Sequence, residues 1–302
     1  MWLAVFPFLL VLLLGLGALA VELGFRAPRR RERRDPGAFG WRFRKLSIAA
    51  RRGGDLAGWL VEPPQAPRAD GPLIVIVHGW GANMELMLPL ARPFLREGFR
   101  VLLFDARNHG MSPAQGHSSL PKFAEDALAA MDWARSRGLA GGGLVLVGHS
   151  IGAAAALLAA SWAEDPPDGV IAISSFAHPA RLMARSLRRL RLPGPLVRLV
   201  LAYVQWRIGH DYDAIAPQNV IRRLSGLPVL LLHGAEDKVV PPACSRRIAA
   251  AAGEGAELHV LPGAGHDSVD AIARHRRLLT GLARAAARPP ARPASPAAGG
   301  GR

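Results

Sequence analysis

The segment Leu144-Val-Leu-Val-Gly148-His149-Ser150-Ile151-Gly152 runs straight into Ala153-Ala-Ala-Ala-Leu-Leu-Ala-Ala160. The aliphatic run reads as a strand buried on both faces, and the alanine-rich stretch as a helix. Between them, G-x-S-x-G places a serine on a tight strand-to-helix turn. Glycines at 148 and 152 let strand and helix approach closely there. The helix N-terminus also aims its positive end at charge that develops nearby. The motif alone is weak evidence, but this context makes Ser150 a candidate nucleophile.

A serine hydroxyl is a poor nucleophile at neutral pH and needs a base, which in turn needs an acid to orient it. Both are supplied in loops that follow later strand patterns. His233-Gly-Ala-Glu236-Asp237-Lys-Val-Val-Pro241 follows a run ending at Leu232, and Gly263-Ala-Gly-His266-Asp267 follows one ending at Leu261. The order Ser150, Asp237, His266 suits this chemistry, with Glu236 as the adjacent competitor for the acid. His149 reads as a wall residue and His259 as a packing residue within a strand. The oxyanion of a tetrahedral intermediate needs backbone donors. Ile151 N–H, directly after the serine, is one candidate. The other is Trp80 N–H in His78-Gly79-Trp80-Gly81-Ala82-Asn83, the loop after the run Leu73 to Val77.

Two alternating runs, Trp41 to Ile48 and Leu56 to Val61, read as an antiparallel hairpin. Short apolar runs then alternate with helical stretches: Leu73 to Val77, Arg100 to Phe104, Leu144 to Val147, Val170 to Ile173, Val229 to Leu232 and Leu258 to Leu261. Helices are expected near 84–97, 121–137, 151–163, 243–252 and 268–286. This order predicts an α/β fold: a mostly parallel sheet of about eight strands with helices on both faces and ligand chemistry at the strands' carboxyl ends. The stretch of more than fifty residues between Ile173 and Val229 predicts a helical cap insertion at about 176–220.

Together these motifs, with Asp105-Ala-Arg107-Asn108-His109-Gly110-Met-Ser112, resemble the α/β-hydrolase superfamily, close to its lipase/esterase and serine-aminopeptidase-like branch. The resemblance covers about residues 70 to 283. It implies the α/β-hydrolase fold and a structural role for the 105–112 segment, so Asp105 and His109 receive no catalytic role. Asn108 stands where a glycine is more usual in that segment. Ser150 argues against the aspartate chemistry of dehalogenases and epoxide hydrolases, which the fold also resembles.

The chain of 302 residues carries a formal net charge of +15, but the excess sits at its ends. Residues 22–52 hold eleven Lys and Arg against three acids, and 284–302 hold four arginines and none. The body between is nearly balanced, so no nucleic-acid partner is expected. Residues 2–21 lack any charge, long enough for a membrane-spanning helix, and Arg26, Arg29, Arg30, Arg31, Arg33 and Arg34 follow. The positive-inside rule predicts a single-pass anchor over 1–25 with the catalytic domain cytoplasmic. The arginines would meet anionic headgroups. Ala18-Leu19-Ala20 leaves open a cleaved signal peptide and secretion. The expected organisation continues with a basic juxtamembrane linker, 26–40, a hydrolase domain, 41–286, and a disordered Pro/Ala/Gly-rich tail, 287–302.

No metal-ligand cluster, P-loop or dinucleotide fingerprint is present, so neither a metal nor a cofactor is expected. His210-Asp211-Tyr212-Asp213 reads as a polar loop between cap and core. Arg181 to Leu192 puts leucines on one side of a helix and arginines on the other, which either packs on the core or meets anionic lipid. Its basic character favours acyl esters or lipids over amine-bearing peptides. The expected activity is carboxylic ester hydrolysis by Ser150, His266 and Asp237. The alternatives are a peptidase or acyltransferase with the same residues, or a catalytically silent binding protein.

Overall fold

The structure, a computed structural model, describes residues 15–68 and 70–287. Its centre is an eight-stranded sheet in the order β1-β2-β4-β3-β5-β6-β7-β8. The strands are β1 Phe43–Ala49, β2 Asp55–Val61, β3 Leu73–Val77, β4 Val101–Phe104, β5 Leu144–His149, β6 Gly169–Ile173, β7 Val229–Gly234 and β8 Ala256–Leu261. β2 runs antiparallel to β1 and β4, and β3 to β8 are mutually parallel. The expected hairpin and six parallel strands therefore all form.

Alternation along each strand feeds two cores. Leu73, Val75 and Val77 of β3 join a cluster with helix α3 (Leu120–Ser136), helix α4 (Ile151–Trp162) and helix α9 (Ala243–Ala252). Ile74 and Ile76 point to the other face, against α2 (Leu88–Arg96), α10 (Val269–Ala273) and α11 (Arg276–Ala285). α4 is buried from Gly152 to Ala160. A helix apolar on all sides suits that central position, and its alanines let α3 and the sheet close on it. The expected helix 268–286 is two helices, because His275 at ψ 46° leaves the helical region between them.

Between β6 and β7 the chain makes its helical excursion. It comprises α5 (Pro179–Arg189), α6 (Gly194–Ile208), and the short α7 (Tyr212–Ile215) and α8 (Pro217–Val220). Pro193 is the N-cap of α6 and Pro195 lies in its first turn, so these prolines separate α5 from α6.

Residues 1–14, most of the expected anchor, lie outside the described residues, as does nearly all of the expected 287–302 tail. The described chain opens on helical residues 15–24 (α1). Among the described residues no helix is long and apolar enough to cross a membrane. The segment expected as the basic juxtamembrane linker, 26–40, lies along the domain. Arg29 donates to the carbonyls of Gly110 and Ser112, and Asn83 Nδ2 donates to the Arg30 carbonyl. The Arg33 N–H and the Arg34 guanidinium both donate to Glu85. At the end of α1, Glu22 accepts from Arg207 and Tyr203 of α6.

One buried ion pair fixes α3 to the loop after β4. Arg107 is 2% exposed and Asp126 is fully buried. The Asp126 carboxylate accepts from Arg107 Nε at 2.7 Å and from Arg107 N–H at 2.8 Å. Burial pushes Asp126 up to about 6, against the lowering by Arg107, which leaves it ionised at neutral pH. Removing one partner strands a buried charge. Asp126→Ala is therefore expected to lower stability by about 3–5 kcal/mol, read by chemical denaturation. A loss below about 1 kcal/mol would show that the site is open to water.

Candidate active site

Ser150 sits at φ 56°, ψ −119° between β5 and α4. A Cβ on Gly148 would overlap the Gly152 carbonyl, and one on Gly152 would overlap the carbonyls of Val77 and His78. Only glycine fits at either position, and the turn between them is forced tight. The Ser150 N–H donates to the Ile173 carbonyl at 2.8 Å, which pins the turn to β6.

Ser150, His266 and Asp237 form one hydrogen-bonded chain. Ser150 Oγ lies 3.0 Å from His266 Nε2, and His266 Nδ1 lies 2.7 Å from Asp237 Oδ2. The other oxygen of Asp237 accepts from Val239 N–H at 2.9 Å and Val240 N–H at 2.8 Å. Burial by itself would raise the Asp237 carboxyl. Hydrogen bonds from His233, His266 and Val240 N–H outweigh burial and hold it well below the usual carboxylate range. An acid kept ionised beside Nδ1 fixes the imidazole tautomer that leaves Nε2 free to accept the serine proton. Glu236, the competing acid, is turned away and accepts from Gly263 N–H at 3.0 Å.

The expected oxyanion donors flank the serine. Ile151 is the first residue of α4, where no intrahelical partner exists for its N–H. A Cβ on Gly79 would lie 3.5 Å from Ser150 Cβ, so the loop that carries Trp80 passes beside the serine. Among the described residues neither the Trp80 nor the Ile151 N–H is matched to an acceptor outside its own element.

Three buried histidines complete the walls. His149 Nε2 faces the His266 carbonyl at 2.8 Å, and burial, then the nearby His266, push it down to about 4. His78 accepts from Ala106 N–H through Nε2, and burial pushes it down to about 3. His233, which sequence reasoning did not single out, lies 3.4 Å from Asp237 Oδ2 and also contacts Ser245 and the Val240 carbonyl. Its signal was its position at the end of β7, four residues before the acid. His259, expected to pack, instead lies half-exposed on edge strand β8 beside Glu257. In the cap-to-core loop His210 stacks on Trp162 and Asp211 caps α7. No cluster of potential metal ligands occurs among the described residues.

The 105–112 segment ties the site's loops together. Asp105 accepts from Met84 N–H and Met111 N–H, each at 2.8 Å, and Ser112 Oγ donates to the Asp105 carbonyl. Asn108 takes the left-handed conformation, φ 69°, that a glycine would supply, and its side chain accepts from Gln115 N–H. The departure from glycine therefore leaves the turn intact. Glu32 reaches in from the N-terminal segment with both carboxyl oxygens buried and converges with Asp105 over Gly110.

An α/β sheet with a strained serine turn at the carboxyl end of β5, and a histidine and an acid on later loops, defines the class of α/β hydrolases. The sequence pattern of the alpha/beta hydrolase family matches residues 74–279, and the chain belongs to that family. It is similar to an uncharacterised protein of Mycobacterium tuberculosis, 29% identical over 230 residues that cover 76% of this chain and 74% of the relative. A bifunctional esterase/perhydrolase of Acinetobacter calcoaceticus is 27% identical over 65% of this chain and 86% of its own. Among solved structures, a Pyrococcus furiosus esterase superposes with a TM-score of 0.67 at 18% identity, covering 86% of this chain and 97% of that one.

Asp105 is raised well above the usual carboxylate range, first by burial and then by Glu32. Its folded state keeps a proton that the unfolded chain releases, so stability falls as pH rises from 3.8 through the raised value. Glu32→Gln removes the second carboxyl, and the decline of melting temperature as pH rises above 3.8 is expected to shrink. Equal declines in the variant and the parent would show that the carboxyl pair is not their source.

Proposed function

We propose that the protein is a serine hydrolase of carboxylic esters. The observation that carries this reading is the continuous Ser150–His266–Asp237 hydrogen-bond chain. Ser150 Oγ attacks the ester carbonyl while its proton passes to His266 Nε2. The negative charge on the former carbonyl oxygen is met by the N–H groups of Trp80 and Ile151. Collapse breaks the acyl–oxygen bond, and His266 returns the proton to the departing alcohol. Water, deprotonated by His266, then attacks the acyl-enzyme and releases the acid and free Ser150. The balance of bonds and protons needs no cofactor or metal.

The esterase names of the Acinetobacter relative and the Pyrococcus structural neighbour support an ester over a peptide substrate. The described cap points the same way. α5 is rich in arginine, whereas recognition of a free amino terminus calls for acids. An acyl or lipid ester is the substrate class proposed.

The proposal extends to the membrane. Residues 2–21 are uncharged, and Leu16, Leu19 and Leu23 on the described part of α1 are more than half exposed. A helix that continued this apolar surface through the preceding residues would anchor the chain, with Arg26 to Arg34 on the cytoplasmic side.

Hydrolysis of p-nitrophenyl esters from two to sixteen carbons tests the activity. Ser150→Ala is expected to lower kcat by about a thousandfold or more, and Asp237→Asn by about ten-thousandfold through the wrong imidazole tautomer. Activity that survives Ser150→Ala would overturn the assignment. No turnover of any ester by folded wild type would move it to acyl transfer or peptide cleavage. The anchor is checked by alkaline carbonate extraction of expressing cells: the full chain is expected in the membrane pellet, and its release into the supernatant would refute the anchor.

A further inference from the structure

Away from Ser150, a basic groove crosses the junction of cap and core. A cavity of about 360 Å³ is lined by Arg181 of α5, Arg222 after α8 and Arg247 of α9, with Gln218 and the small side chains of Ala250 and Ala251. A second cavity of about 150 Å³ continues it, sharing Arg181 and Arg247 and adding Arg185 and His178. No acidic residue lines either cavity. None of the four arginines makes a side-chain hydrogen bond, ion pair or aromatic contact among the described residues.

That arrangement is electrostatically incomplete. Many other arginines of the domain are engaged: Arg51, Arg52, Arg100, Arg107, Arg135, Arg207 and Arg284 each face a carboxylate. Here four exposed arginines line one concave surface with no acid among the lining residues, so an anion seated between them would meet positive charge from several sides. His178 also lines this surface. It is 9% exposed, its Nε2 faces Asp213 at 3.1 Å, and its Nδ1 is buried with no partner.

We propose that this groove is a binding site for a phosphate-bearing ligand with two or more negative charges. Guanidinium forks match phosphate oxygens in pairs, and several forks around one cavity favour a dianion or diphosphate over a single carboxylate. The depression is open to solvent and larger than a bare ion needs. Ala177, Leu182, Ala250 and Ala251 give an apolar wall for whatever carries the phosphate. A soluble phosphate ester and a phosphomonoester lipid headgroup share this chemistry. The site does not depend on the esterase reading. It does adjoin it, since Pro241 lines the groove one residue after Val240, whose N–H holds Asp237.

Titration of the full chain in detergent with pyrophosphate, followed by calorimetry, tests the proposal. Wild type is expected to saturate at one site. The double variant Arg181→Gln/Arg247→Gln is expected to bind about tenfold or more weakly, since each lost charge-assisted contact is worth roughly that factor. Arg223→Gln/Arg246→Gln, which removes two exposed arginines outside the groove, is expected to bind as wild type does. Melting temperatures of both variants establish that they are folded. A second arm compares sedimentation with vesicles of phosphatidylcholine alone and with added phosphatidic acid. A phosphatidic-acid-dependent increment that pyrophosphate competes away, and that the groove variant loses, assigns a lipid headgroup. Pyrophosphate binding without that increment assigns a soluble ester. Absence of saturable binding in both arms, or equal binding by the two double variants, overturns the site.

Discussion

The close approach of β5, α4 and β3 around Gly148 and Gly152 governs the rest of the site. No side chain fits at either glycine, so the turn between them holds Ser150 at a positive φ that an L-residue adopts only at a cost of about 1–3 kcal/mol. Packing supplies the restraint. The Ser150 N–H is tied to Ile173, and the Ser150 carbonyl accepts from Ala153 and Ala154. Neither end of the residue can relax without breaking the sheet or the helix. The same geometry leaves the Ile151 N–H at an open helix end, beside the loop that carries Trp80.

Electrostatics around His266 follow from burial. A positive charge on His149, whose ring centroid is 5.2 Å from that of His266, would oppose formation of an imidazolium on His266. Burial pushes His149 down to about 4, so it stands neutral there at physiological pH. His78 is held neutral in the same way and serves as an acceptor for Ala106 N–H. Among the described residues the carboxylate bonded to the His266 ring is Asp237, kept ionised by hydrogen bonds from His233, His266 and the Val240 N–H.

Much of this was legible in the sequence for reasons that can be named. Strands β3, β5 and β7 are continuous aliphatic runs, which only a doubly covered parallel sheet buries, and each ends where a chemical residue begins. Ser150, Asp237 and His266 could be read because each is local to a strand end. What escaped was non-local. His233 lies on a strand that its aliphatic neighbours define, and only the fold brings it to Asp237. The N-terminal arginines were read as a juxtamembrane cluster for anionic headgroups, because nothing in their composition records that Arg29 meets the carbonyls of Gly110 and Ser112, 81 and 83 residues away. The helix 268–286 was read as one because no proline or glycine marks the break at His275.

The course of residues 25–35 ties the chain's entry to its chemistry. Ser118 N–H donates to the Phe25 carbonyl, the Phe25 ring meets Trp80 edge-on at 6.4 Å, and Pro28 lies against Gly81. Arg29 and Glu32 then contact the 105–112 loop, while Arg33 and Arg34 hold Glu85. These contacts fall on the two loops that a single carboxylate, Asp105, already joins through Met84 and Met111. The loop that offers the Trp80 N–H is therefore braced from within by Asp105 and from outside by the N-terminal segment. Because Glu32 sets a second carboxyl against that brace, it raises Asp105 further above the usual carboxylate range than burial alone does. A change in how the N-terminal segment is seated would reach the Trp80 loop through contacts already in place, without passing through the cap.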